Sequence, residues 1–133
     1  MMLLDTSAVL GYLNDESGKE IIEEALLTGT ACISIVNQSE AISKLLDWGM
    51  GLDEATQVLN KLSLENEPFS TETALETARL RTLTREHGLS LGDRACLATA
   101  RLRGHTVLTG DRPWLNVADV MGVRIISFRP AKH

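Results

Sequence analysis

From its first residues the chain alternates between short apolar, β-branched runs and segments whose apolar residues recur every three or four positions. Few architectures accommodate that order. MLLD (residues 2–5) reads as a buried strand closed by Asp5, and TSAVLGYLN (6–14) as a helix opened by a hydroxyl cap. Ser17 and Glu20 offer a capping box ahead of the helical IIEEALL. ACISIV (31–36) is a second strand, bounded by Gly29 and Asn37, and a helix from Asn37 to Trp48 follows. Gly49 and Gly51 end it, and DEATQVLNKLSL (53–64) makes another. NEPF (66–69) suits an edge strand, because Pro68 has no N–H to give a ladder. TETALETARLRTLTREHG (71–88) and LGDRACLATARLRG (91–104) are helices stopped by Gly88 and Gly104. HTVLT and VRIISF complete the set, joined by the loop GDRPWLNVADVMG (110–122). Strands alternating with helices predict an α/β fold, a central parallel sheet of four or five strands flanked by helices on both faces.

At 133 residues the chain fits one domain, 1–133, and no linker or repeat divides it. A hydrophobic share of 44% against 23% charged excludes intrinsic disorder. No apolar run approaches the ~20 residues of a membrane span, so no membrane role and a cytoplasmic location are expected. Cys32 and Cys96 lie in apolar surroundings and form neither a disulfide framework nor a zinc spacing, so packing is their expected use. With His87, His105 and His133 scattered, any metal is expected to be oxygen-bound. The net charge of −5 conceals a split, since all nine arginines lie after Leu75 and 14 of the 18 acids lie at or before Glu76. Arginine-rich segments suit a polyanionic partner, and equally suit solvated helix faces.

Ligands of parallel sheets bind beyond the carboxyl ends of the strands. Asp5 ends the first strand, Glu40 stands early in the helix after the second, Asp111 follows HTVLT, and Asp93 opens its own helix. Each has a structural alternative. Asp5 can cap a helix, Glu40 can close a capping box with Asn37 and pair with Lys44, Asp93 can close a box with Ser90, and Asp111 can serve a turn before Pro113. Jointly, four carboxylates at one sheet edge repel one another by several kcal/mol unless cations intervene, and Mg²⁺ or Mn²⁺ suits such oxygen ligands. No phosphate-binding glycine loop, nucleophile elbow or His-Glu-x-x-His helix competes.

LDTSAVL, a strand followed by SE, SLGDRACLATA and VLTGDRPW, in this order and over nearly the whole chain, resemble the PIN-domain ribonucleases of the VapC toxin type. The resemblance implies a single PIN-like domain and a metal-dependent endoribonuclease hydrolysing RNA phosphodiester bonds, the toxin of a toxin–antitoxin pair. By it, Asp5, Glu40, Asp93 and Asp111 are the acidic quartet that holds Mg²⁺ or Mn²⁺, with Thr6 and Thr109 as supporting hydroxyls. It further implies an RNA substrate, a homodimer and a cognate antitoxin. Asn116 and Asp119 lie beyond the quartet, with their relation to the metal open. Arg94 and Arg112, each following a site acid, are expected phosphate guides, with surface ion pairing as the alternative. Trp48 and Met50, beside Leu45 and Leu46, serve either an interface or the core. The rival functions are a catalytically inactive PIN-like binding module and a metal-dependent phosphoesterase of small substrates. A phosphotransfer domain would require a second acid adjoining Asp5 and a lysine late in the sheet, but Thr6 and Ser7 follow Asp5 and the only late lysine is Lys132.

Overall fold

The computed structural model describes residues 1–130. Five strands form one parallel sheet: β1 (Met2–Leu4), β2 (Ala31–Ser34), β3 (Glu65–Glu67), β4 (Thr106–Thr109) and β5 (Ile125–Ser127), in the order β3-β2-β1-β4-β5. The first strand is therefore central. Leu3 pairs with Cys32 on one side and Val107 on the other. The chain winds outward to β3, then crosses back to β4 and β5 on the far side of β1. Such a reversal opens a crevice beyond the carboxyl ends of β1 and β4, where ligands of open α/β sheets bind.

Helices cover both faces. Helices α1 (Thr6–Leu13), α2 (Glu20–Leu27), α3 (Ile35–Asp47) and α4 (Leu52–Asn60) pack over Leu4, Ile33 and Leu108. Helices α5 (Thr71–Thr84) and α6 (Leu91–Arg103), with the short α7 (Ala118–Met121), pack over Leu3, Cys32 and Val107. Successive strand residues point to opposite faces, so Leu3 and Leu4 enter different cores and both are fully buried. Continuous apolar strands such as these are the mark of a sheet covered on both sides. Glu76 on α5 receives Arg79 and Arg101, each at 2.6 Å, and so ties α5 to α6.

Several elements begin or end elsewhere than their sequence suggests. The second strand stops at Ser34, because the Ser34 hydroxyl accepts the Asn37 N–H at 3.2 Å and caps α3, drawing Ile35 and Val36 into the helix. Asn37 is thus inside α3 and forms no capping box with Glu40. The Ser17–Glu20 box is also absent, since α2 starts after Lys19 with no side-chain cap. The edge strand lies upstream of Pro68, at Glu65–Glu67, instead of running through it. A turn of 3₁₀ helix, Arg85–His87, ends the long helix, and Gly88 and Gly104 follow in the left-handed conformation expected of helix stops. The expected loop after Gly110 is largely helical, with a 3₁₀ segment Arg112–Val117 leading into α7. Trp114, Val117 and Met121 on this segment are buried, and that apolar spacing converts a polar-looking loop into a lid over the sheet.

Candidate metal centre

Asp5 is only 3% exposed at the carboxyl end of β1. Its own side chain caps α1, one oxygen accepting the Ala8 N–H at 2.8 Å, so the cap is the carboxylate and not the following hydroxyls. Ser7 Oγ lies 2.7 and 2.9 Å from the two Asp5 oxygens, and Thr109 Oγ1 donates to Oδ2 at 2.5 Å. These bonds join β1 to β4 across the crevice. Thr109 Oγ1 also accepts the Asp111 N–H at 3.0 Å, and Ser7 Oγ accepts the Gly110 N–H at 2.8 Å. Both hydroxyls therefore clip the Thr109–Asp111 turn to Asp5.

Glu40 Oε1 accepts from Thr6 Oγ1 at 2.8 Å and from Asn37 Nδ2 at 2.9 Å. Asn37 is itself buried and its carbonyl oxygen accepts from Ser34 Oγ at 2.8 Å, so the cap of α3 also aims the amide that holds Glu40. Across the cleft, α6 comes so close that a Cβ on Gly92 would overlap the Glu40 carboxylate. Only glycine leaves that space. Asp93, the next residue, forms a complete capping box with Ser90, its carboxylate accepting the Ser90 N–H at 3.0 Å. One Asp93 oxygen is so engaged. Lys44 stands exposed at the cleft rim, where it forms no ion pair with Glu40.

A cleft of about 250 Å³ is lined by Asp5, Glu40, Asp93 and Asp111 together with Thr6, Ser7 and Asn37. All four sequence-predicted acids converge there. Asn116 and Asp119 are exposed and do not line it. The electrostatics register the crowding. Asp5 is pushed up to about 6, chiefly by burial, with the Asp93 charge adding to the rise and the hydrogen bonds from Thr109, Ser7 and Ala8 opposing it. Asp111 is also raised, first by partial desolvation and then by Asp93, against the lowering effect of the Trp114 indole N–H and of Arg129. Carboxylates held above their ordinary range in an all-oxygen donor set suit a hard divalent cation, which would restore their ionised form.

The arginines divide. Arg94 is only 8% exposed and donates to the Thr77 carbonyl at 2.9 Å, wedged between α5 and α6, so it does not face the cleft and cannot guide a phosphate there. The reason is helical geometry, because one residue beyond Asp93 turns the side chain about 100° away. Arg112 is exposed beside Asp111, lining a neighbouring cavity of about 660 Å³ with Ser7, Gly110, Arg129 and Pro130. Arg129 shares that cavity, grips Glu16 at 3.0 Å and donates to the Gly110 carbonyl at 3.1 Å. Sequence reading missed Arg129, which follows the last strand with no local signal, and Ser7 and Asn37, which it read only as helix caps.

Parallel winding around a central first strand, with an acidic crevice at the point of reversal, defines an α/β protein whose clustered carboxylates could hold a cation. A sequence model of the PIN domain matches residues 2–120, and the chain belongs to that family. No curated protein matches by sequence. Among solved structures, the DNA-bound VapBC from Salmonella typhimurium is similar at TM-score 0.74 and 24% identity, over 96% of this chain and 98% of that one. FitAcB from Neisseria gonorrhoeae gives 0.73 and 23%, over 96% and 98%. VapBC-5 from Mycobacterium tuberculosis, a member of a toxin–antitoxin family, gives 0.64 and 25%, over 94% and 96%.

Proposed function

We propose that this PIN-domain chain is a metal-dependent endoribonuclease that hydrolyses RNA phosphodiester bonds, the toxin of a toxin–antitoxin pair. The observation that carries this reading is the convergence of Asp5, Glu40, Asp93 and Asp111 in one cleft at the sheet's point of reversal. Asp5, Asp93 and Asp111 hold Mg²⁺ or Mn²⁺ directly or through water, with Glu40 completing the acidic wall. When bound, such a cation supplies Lewis acidity at the scissile phosphate and acidifies a water, so no side-chain nucleophile is needed. Thr109 and Ser7 fix the Asp5 carboxylate, and Thr6 with Asn37 fixes that of Glu40, so the ligands need little reorganisation. Arg112, and Arg129 beside it, guide the phosphate backbone into the cleft.

Similarity to toxin–antitoxin complexes supports a cognate antitoxin as partner. On this reading the protein is a cytoplasmic homodimer whose activity that antitoxin restrains. Trp48, 48% exposed at the end of α3 with Leu46 beside it, supports an interface use, whereas Leu45 is in the core and Met50 packs partly against it.

The test is cleavage of total RNA by purified protein in Mg²⁺, Mn²⁺ or EDTA, alongside Asp5→Asn, Asp93→Asn and a nucleotide monoester. Discrete RNA fragments that require metal and vanish in both variants are expected. Equal behaviour of wild type and variants would leave a binding module, and turnover of the monoester alone would leave a small-substrate phosphoesterase.

A further inference from the structure

Outside the acidic cleft, three side chains of different ligand chemistry meet. The Cys32 thiol from β2, the Glu67 carboxylate from β3 and the His105 imidazole from the turn before β4 each place one ligand atom within 4.8 Å of the other two. None of the three lines the acidic cleft. Cys32 is fully buried, while the side chains of Glu67 and His105 are 14% and 10% exposed and so leave a path for a small ion.

We propose that Cys32, Glu67 and His105 form a second metal site, one that takes a borderline transition ion such as Zn²⁺. The donor set separates it from the first centre, because a thiolate and an imidazole select zinc where an all-oxygen cleft selects Mg²⁺ or Mn²⁺. The spacing fits. Zinc–nitrogen and zinc–oxygen bonds of about 2.0–2.1 Å at tetrahedral angles put such ligands about 3.3 Å apart. His105 Nε2 and Glu67 Oε1 are 3.1 Å apart. Arg103 lies 3.5 Å from the other Glu67 oxygen, leaving Oε1 for the ion and fixing the carboxylate from behind, as outer partners of metal ligands commonly do. Without an ion, burial and the facing carboxylates of Glu67 and Glu65 push the Cys32 thiol up to about 12, and its Sγ lies 3.5 Å from the Met2 carbonyl.

On binding, the Cys32 S–H bond breaks and its proton leaves to solvent as an S–Zn bond forms; the proton between His105 Nε2 and Glu67 Oε1 moves to Nδ1, so that the neutral imidazole and the carboxylate each contribute a lone pair, and water fills the fourth position. The ion ties the three-residue edge strand β3 to β2 and to the α6–β4 turn. No sequence spacing announced this site, since its ligands stand at positions 32, 67 and 105.

Cobalt titration of the metal-free chain tests the proposal, because tetrahedral Co²⁺ bound to a thiolate has a sulfur-to-metal charge-transfer band that an all-oxygen site cannot produce. The expected result is one equivalent of band-producing Co²⁺, displaced by Zn²⁺, lost in Cys32→Ser and His105→Gln, and retained in Asp93→Asn. Zn²⁺ should also release one more proton from wild type than from Cys32→Ser. His105→Gln keeps the test valid if the buried Cys32→Ser does not fold. Absence of the band, or its persistence in His105→Gln, overturns the proposal and leaves a hydrogen-bonded clamp. A band lost only in Cys96→Ser overturns it as well.

Discussion

Asp5 accepts hydrogen bonds from Ser7, Ala8 and Thr109 and still titrates high, because burial outweighs them. Its folded value, about 6, lies above the ordinary 3.8. The folded chain therefore keeps a proton on Asp5 that the unfolded chain releases, and stability from this group is full below about pH 4 and lost as pH rises through about 6. The loss is on the order of 3 kcal/mol. Urea unfolding in EDTA from pH 4 to 8 should show this fall, with Asp5→Asn flattening it and saturating Mg²⁺ offsetting it near neutral pH. Gly92 gives a second test. A methyl there meets only the end of a flexible glutamate, so Gly92→Ala should keep the fold, with helix stability unchanged or up by as much as about 1 kcal/mol. Cleavage and metal affinity should fall at least tenfold as Glu40 is displaced, which a metal titration and thermal melt on one preparation would separate. In both residues a structural duty and a site duty coincide. The capping alternatives for Asp5 and Asp93 were correct readings of sequence, and they did not compete with a place in the cleft. Glu40 was harder to place, because its partners Thr6 and Asn37 become neighbours only when α1 meets α3.

Among the elements, the strands and long helices were legible because their apolar periodicities are strong and their stops carry Gly88 and Gly104. The start of α3 was not, because Ser34 outcompetes the later Asn37 as a cap and no pattern separates the two. The segment after Asp111 was misread because Pro113 and Asn116 look like loop chemistry, whereas Trp114 and Val117 are anchored in the core. That anchoring has a measurable size. Trp114→Ala should cost about 3–5 kcal/mol, read as a lowered denaturation midpoint with unchanged slope. The loss is chiefly one of packing, because the indole is almost fully buried against the core. Cleavage measured far below the new midpoint should also weaken, since the segment that positions Asp111 would rest on a void. Ser34→Ala should cost about 1 kcal/mol through the lost cap.

Over the whole molecule, the charge split is answered from within only in part. Arg79 and Arg101 pair with Glu76, Arg103 with Glu67 and Arg129 with Glu16, so arginines of the second half hold acids of the first. On the proposed function, Arg112, exposed beside the cleft, is a better measure of RNA binding than the total charge. Binding of single-stranded RNA should weaken with salt, and Arg112→Ala should lower the log–log slope by about 0.7. An unchanged slope would remove Arg112 from the binding path. The order β3-β2-β1-β4-β5 has one more consequence, which concerns time. Asp5 leaves the ribosome well ahead of its partner Thr109, which lies 104 positions later. A nascent chain that has reached α6 already carries Asp5, Glu40 and Asp93 but has no β4 to lie against β1 and no Asp111. Translation halted between Asp93 and Thr109 thus yields three of the four acids without the strand that brings them together, and the cleft forms only once the fourth strand has emerged.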